Sequence, residues 1–277
     1  MLSPSQADQL YRTFASCSVK APQYAEWCLK CENCTITRYT SGKTLFQGSD
    51  AEVYAAAFME PDTSIHAHAG SDEVGTGDYF GPVCVCAVFA DDAGIALIHK
   101  LGVHDSKQIK DEDIRKAAPV LMEQLPHSLL IVPCAKYNQV HERSNLNAIK
   151  ALLHNQAYVN LRKKTALPKL IVIDQFTPEK SYYRYISSEK EIVRGIHFET
   201  KAEDKYPAVG AASVIARYAF LKYMEEMDAR YGMHFPFGAS GTVDQAGIAF
   251  AEKYGKDRLG EVAKLHFKNT EKIMERL

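Results

Sequence analysis

Between residues 70 and 81 the chain reads Gly70-Ser71-Asp72-Glu73-Val74-Gly75-Thr76-Gly77-Asp78-Tyr79-Phe80-Gly81, two adjacent carboxylates set directly before a glycine-punctuated turn. Val83-Cys84-Val85-Cys86-Ala87-Val88-Phe89 follows, a continuous apolar run of strand length, so the motif occupies a strand-turn-strand junction. Glycines at alternate positions let the backbone come close to a ligand, and Asp beside Glu supplies the hard oxygen ligands that Mg2+ or Mn2+ prefers. The same glycines loosely match a dinucleotide-binding fingerprint. That site requires a helix after the turn to meet a pyrophosphate, and here a strand follows. An exposed hairpin with solvated acids is the bland alternative, and the acids found further along the chain weigh against it.

Leu170-Ile171-Val172-Ile173-Asp174 is a short apolar run ending in a carboxylate, the pattern of a buried central strand that delivers an acid to the carboxyl edge of a sheet. Asp174 is therefore expected to face a cleft. Thr200-Lys201-Ala202-Glu203-Asp204-Lys205 brings more acids just before Pro207, a good first-turn residue for a helix over Ala208 to Met227. Glu203 is the candidate fourth ligand.

Taken in order, Asp72 to Gly77, His104-Asp105-Ser106-Lys107, Ile173-Asp174-Gln175-Phe176, Lys201-Ala202-Glu203 and Ala211-Ala212-Ser213-Val214-Ile215-Ala216-Arg217 resemble the bacterial ribonuclease HIII family over about two hundred residues. The resemblance implies a ribonuclease H-like α/β fold with a mixed sheet flanked by helices. It also implies Asp72, Glu73, Asp174 and Glu203 as catalytic, metal-binding carboxylates for two Mg2+ or Mn2+ ions. Glu203 stands where the sister ribonucleases HII carry Asp, and Thr76 where they carry arginine, and both differences favour the HIII branch.

The chemistry of the residues agrees. Phosphodiester hydrolysis needs an activated water, in-line attack and neutralised charge on phosphorus, and two divalent ions about 4 Å apart supply all three. Successive strand residues point to opposite faces, so Asp72 and Glu73 do not both face one ion in a regular strand. Either the strand has begun to twist into the Gly75 turn or Glu73 ligates from the second side, and the sequence leaves both open. Recognition of RNA in a hybrid requires contacts to 2′-hydroxyls, for which the backbone at Gly75, Thr76 and Gly77 is suited. Ser106 and Lys107 are suited to phosphate, as are Ser213 and Arg217, while the other small residues of that helix are read as packing. A helix over Asn147 to Lys164 is read as structural, its basic end suiting a helix C-terminus.

The chain has 277 residues, 46% of them hydrophobic, with no apolar run long enough for a bilayer. A formal net charge of −1 argues against a nonspecific nucleic-acid coat but not against a nuclease whose acids offset basic residues elsewhere. No signal peptide is visible, and seven scattered cysteines suit a reducing compartment, so a cytoplasmic monomer is expected. Cys28, Cys31 and Cys34 have metal-like spacing but no evident fourth ligand. Cys84 and Cys86 read as small buried residues, His66 and His68 as packing at a domain edge, and Gly238 to Gly241 as a loop. A polar, proline-containing boundary falls at Met59 to Ser64, giving domains at 1–62 and 66–277. Before it, a helical Ser5 to Cys17, a hairpin at Thr35 to Gly48 and Asp50 to Phe58 resemble the small TATA-binding-protein-like α+β domain that ribonucleases HIII carry. Tyr39, Ser41, Lys43 and Gln47 are its candidate contacts to an RNA/DNA hybrid. Ribonuclease HII-like incision at single ribonucleotides and a hybrid-binding module without catalysis are the competing functions.

Overall fold

A computed structural model describes residues 2, 4–56, 65–103 and 109–277. The chain divides into two compact units, Met1–Ser64 and Ile65–Leu277. The expected boundary at Met59 to Ser64 lies outside the described residues, and so do Ser106 and Lys107.

The first unit is an antiparallel sheet of four strands with two helices: α1 (Pro4–Thr13), β1 (Ser18–Val19), β2 (Ala25–Cys31), β3 (Cys34–Tyr39), β4 (Thr44–Gln47) and α2 (Ala51–Ala56). The hairpin turns where expected, with Gly42 at φ 81°. Leu10, Leu29, Cys34 and Ile36 form the core, joined by Phe14, Trp27, Phe46 and Tyr54. Alternation then puts Tyr39 and Gln47 on the sheet face opposite Ile36 and Phe46. Strand β2 is not evident from sequence, where Cys28, Cys31 and Cys34 show metal-like spacing instead. Cys28 points to the Thr37 hydroxyl, and Cys31 pairs with Cys34 across the ladder while hydrogen-bonding Cys17. Burial pushes the Cys31 thiol up to about 12.

The second unit is built on a mixed sheet of five strands in the order β7-β6-β5-β8-β9. Its elements run β5 (His68–Val74), β6 (Val83–Ala90), α3 (Asp92–Lys100), α4 (Asp111–Gln124), β7 (His127–Val132), α5 (Cys134–His141) and α6 (Leu146–Arg162). They continue with β8 (Leu170–Asp174), α7 (Glu179–Tyr185), β9 (Ile196–Glu199), α8 (Pro207–Tyr231), α9 (Gly241–Tyr254), α10 (Leu259–Val262) and α11 (Lys268–Met274). Strand β5 pairs antiparallel with β6 and parallel with β8.

The alternation of β6 splits its side chains between two cores. Cys84, Cys86 and Val88 face α8 together with Ile215, Phe220 and Phe250, whereas Val83, Val85 and Ala87 face α6 together with Ile149, Tyr158 and Ile171. Each fully buried Val or Ile contributes roughly 1.5–3 kcal/mol, so a one-residue slip of β6 is strongly opposed. Helix α8 lies against β5 because Gly70 has no side chain: a Cβ there would sit 2.3 Å from the Val209 nitrogen. Its first turn is capped by His68, whose Nε2 accepts the Ala208 N–H at 3.0 Å. Burial lowers the His68 pKa and keeps the ring neutral for that role. Among the described residues no helix is long and apolar enough to cross a membrane.

Candidate active site

Asp72 and Asp174 follow immediately after Ser71 and Ile173, which are partners on the parallel strands β5 and β8, so the two acids stand at one level. Gly70 and Val172, two residues earlier, both pack against Val209 of α8. By alternation the two aspartates share the α8 face. Glu203 is 3% exposed in the 3-10 turn Ala202–Asp204 that leads into α8. That turn is tied to the site directly, since the Ala202 N–H donates to Asp174 Oδ1 at 3.0 Å.

Glu73 is different. The ladder with β6 stays regular from Asp72↔Cys86 through Glu73↔Val85 to Val74↔Cys84, so Glu73 points to the α6 face. Of the two alternatives left by the sequence, the early twist is not what occurs. On that face Lys150 binds Oε1 and His154 Nε2 binds Oε2 at 2.8 Å. His154 Nδ1 also meets the Ser71 hydroxyl at 2.7 Å, and Phe176 stacks on the imidazole and lies 4.1 Å beneath the Lys150 ammonium. Lys150 and His154 are four residues apart on α6, hence on one face. Two polar residues at that spacing within an otherwise apolar helix face were the signal available in the sequence.

The electrostatics follow from this arrangement. Burial, then the neighbouring Glu73 charge, push the Asp72 carboxyl up to about 8, while hydrogen bonds from Ser213 and the Glu73 N–H pull the other way. Burial also raises Glu73, but the hydrogen bonds and charges of His154 and Lys150 outweigh it and hold that carboxyl below its usual range. A further acid, Glu199, sits level with Asp174 on β9 and is bound by His197, Tyr206 and Lys205. These bonds, His197 first, lower it to about 2. Among the described residues no three His, Cys, Asp or Glu side chains converge tightly enough to form a ready cage for an ion.

The glycine turn beside these acids is fixed from the far end of the chain. Gly75 adopts φ 92°, and a Cβ there would sit 2.2 Å from the Pro82 carbonyl oxygen. Gly77 is exposed, lies outside the left-handed region and has nothing within 4 Å of a Cβ, so folding does not require glycine there. Lys264, fully buried, donates to the carbonyls of Asp78, Phe80 and Gly81 at 2.8, 3.3 and 2.5 Å. Asp78 Oδ1 accepts the Gly238 N–H at 2.6 Å, so the loop at 238–240 joins the same assembly.

The other expected substrate contacts fall in varied settings. Ser213 is engaged with Asp72. Arg217 makes a two-pronged pair with Asp111, both bonds 3.0 Å, and lies over Phe237. In the first unit Ser41, Lys43 and Gln47 are exposed and Tyr39 is half-buried.

A five-stranded mixed sheet with helices on both faces and acids level on two central parallel strands defines an α/β protein of the ribonuclease H-like class. Comparisons narrow this. A profile described as ribonuclease HII matches residues 69–270, and one described as a domain of unknown function matches residues 1–69. Relatives named ribonuclease HIII from Bacillus cereus and Bacillus anthracis are each 42% identical, over 95% of this chain and 92% of theirs. The crystal structure of Bst-RNase HIII in complex with Mn2+ superposes with a TM-score of 0.77 at 37% identity, covering 100% of this chain and 97% of that one. The chain belongs to the ribonuclease HII family, and within it to the ribonucleases HIII.

Proposed function

We propose that the protein hydrolyses the RNA strand of RNA/DNA hybrids, with Asp72, Glu73, Asp174 and Glu203 holding two divalent ions. The observation that carries this reading is the level pair Asp72 and Asp174 beside the Glu203 turn, in a chain of this family. The donor set fits: carboxylate oxygens without a soft ligand suit Mg2+ or Mn2+, and the related Bst enzyme was crystallised with Mn2+. Asp72, raised by burial among like charges, is a group that a bound cation would relieve. When bound, such ions activate water and neutralise the charge that develops on phosphorus.

The chain's own residues do the remaining work. Ser213 orients Asp72, and the Ala202 N–H orients Asp174. The bare backbone around Gly77 lets a 2′-hydroxyl approach, with Gly75 setting the turn and Thr76 between them. Ser106, Lys107 and Arg217 are assigned to phosphates of the substrate. Residues 1–62 form a substrate-binding domain that uses Tyr39, Ser41, Lys43 and Gln47, and residues 66–277 form the catalytic domain. The free thiols support a reducing, cytoplasmic setting, and the protein acts as a monomer.

A run of 2′-hydroxyls should be required, since one alone leaves most of the loop's polar contacts unmatched. The test compares kcat/KM with Mg2+ on an all-RNA hybrid and on duplex DNA carrying one ribonucleotide. Strong preference for the hybrid is expected, and comparable values would move the protein to incision at single ribonucleotides.

A further inference from the structure

We propose that Lys150 is a resident counter-ion of Glu73, occupying the carboxylate in place of a divalent cation, and that the ion bound through Glu73 must displace it. The inference rests on Glu73 being a metal ligand.

Both oxygens of Glu73 are taken, but by unlike partners. His154 has no exposed surface and is fixed from two sides, by Ser71 and by Glu73, so it is a permanent donor to Oε2. Lys150 ends a flexible four-carbon stem whose ammonium is a compact point charge. It is 8% exposed and approached by Glu73 on one side and the Phe176 ring on the other. A buried cation of this kind is stable only with such partners.

An ammonium and a divalent ion cannot bind the same carboxylate oxygen without strong mutual repulsion, so the two compete. Strand alternation sets Glu73 on the α6 face, and there Lys150 occupies the oxygen that His154 leaves open. On displacement, the Lys150 stem can swing away while His154 keeps Glu73 aimed. Lys150 thus acts through Glu73, as a positioning residue.

The two roles predict opposite signs. Loss of a residue that merely supports a ligand weakens metal affinity, typically 10–100-fold. Loss of a competing cation strengthens it. Mn2+ should be titrated into the full-length protein without substrate, with free Mn2+ followed by electron paramagnetic resonance, for wild type, Lys150→Met, His154→Gln and Glu73→Gln. Lys150→Met should bind the weaker of its ions roughly tenfold more tightly, and His154→Gln should bind it more weakly. Without metal, Lys150→Met should melt below wild type, and the gap should close as Mn2+ is added, because binding to the folded state stabilises it. Should the methionine variant not fold, Lys150→Gln removes the charge and keeps a donor. Unchanged or weaker Mn2+ binding by the Lys150 variants overturns the proposal. If Glu73→Gln leaves Mn2+ stoichiometry and affinity untouched, the fault lies instead with Glu73 as a ligand.

Discussion

Asp72 and Asp174 lie 102 positions apart in sequence and level with one another on neighbouring parallel strands, one step beyond the Ser71–Ile173 pair. The parallel register does what no local motif can: it sets two carboxylates side by side on the face covered by α8. Each has its own hydrogen-bond donor, Ser213 for Asp72 and the Ala202 N–H for Asp174. The donors hold the acids in place without neutralising them.

Substituting Asn for either aspartate should therefore leave the fold and hybrid binding nearly intact while abolishing cleavage. The amide keeps the shape and loses the charge that holds an ion. Circular dichroism and gel-shift titration serve as controls, and residual cleavage above roughly a tenth of wild type at saturating metal would contradict the assignment.

The raised carboxyl of Asp72 gives the metal-free protein a distinctive pH profile. Its folded value of about 8 lies above the ordinary value of 3.8, so its contribution to stability is complete below about 4 and is lost as pH rises through 8. Glu73, held low, contributes with the opposite sign and only as pH falls below the usual glutamate range. Thermal unfolding in chelator should show a midpoint that declines between pH 4 and 8 in wild type and declines less in Asp72→Asn. Identical slopes for the two would remove Asp72 as the cause. Added Mn2+ should reverse the decline most at the high-pH end, where the carboxylate is charged.

Gly75 and Gly77 separate folding from recognition. Gly75→Ala places a methyl against the Pro82 carbonyl in a left-handed conformation and should cost on the order of 1–3 kcal/mol. Gly77→Ala meets nothing and should change stability by less than about 0.5 kcal/mol. If a duplex approaches that backbone, KM for hybrid should nonetheless rise severalfold in Gly77→Ala with little change in kcat. A KM equal to wild type would take substrate reading away from the loop.

Deleting residues 1–62 should weaken hybrid binding far more than it slows turnover at saturating substrate, because a tethered second contact raises effective concentration. Fewer neutralised phosphates should also flatten the dependence of affinity on salt. Equal affinities and salt slopes for the two proteins would leave the first domain without a part in binding.

The strand positions of Asp72 and Asp174 were legible in the sequence because each lies where an apolar strand pattern ends or turns, and Pro207 marked the start of α8 correctly. The face occupied by Glu73 was not. Alternation predicts opposite faces only if the strand stays regular, and that regularity is a property of the pairing with β6, which is long-range information. Lys150 and His154 escaped for a related reason. Their helix reads as packing along most of its length, and only the fold reveals that this face meets Glu73 rather than solvent or another apolar surface. Strands β7 and β9 also went unread. β9 has just four residues, too few to show a period, and its place beside β8 comes from the parallel ladder.

Lys264 carries an implication for how the molecule is made. Its ammonium clamps carbonyls of the loop next to Asp72, the farthest in sequence being Asp78, 186 positions earlier. A chain emerging from the ribosome therefore presents both motif acids and the glycine turn long before the group that fastens that turn has been synthesised. Until then the carbonyls of Asp78, Phe80 and Gly81 lack their shared donor. A fragment that stops short of Lys264 therefore carries the motif acids and the glycine turn without the group that fastens them.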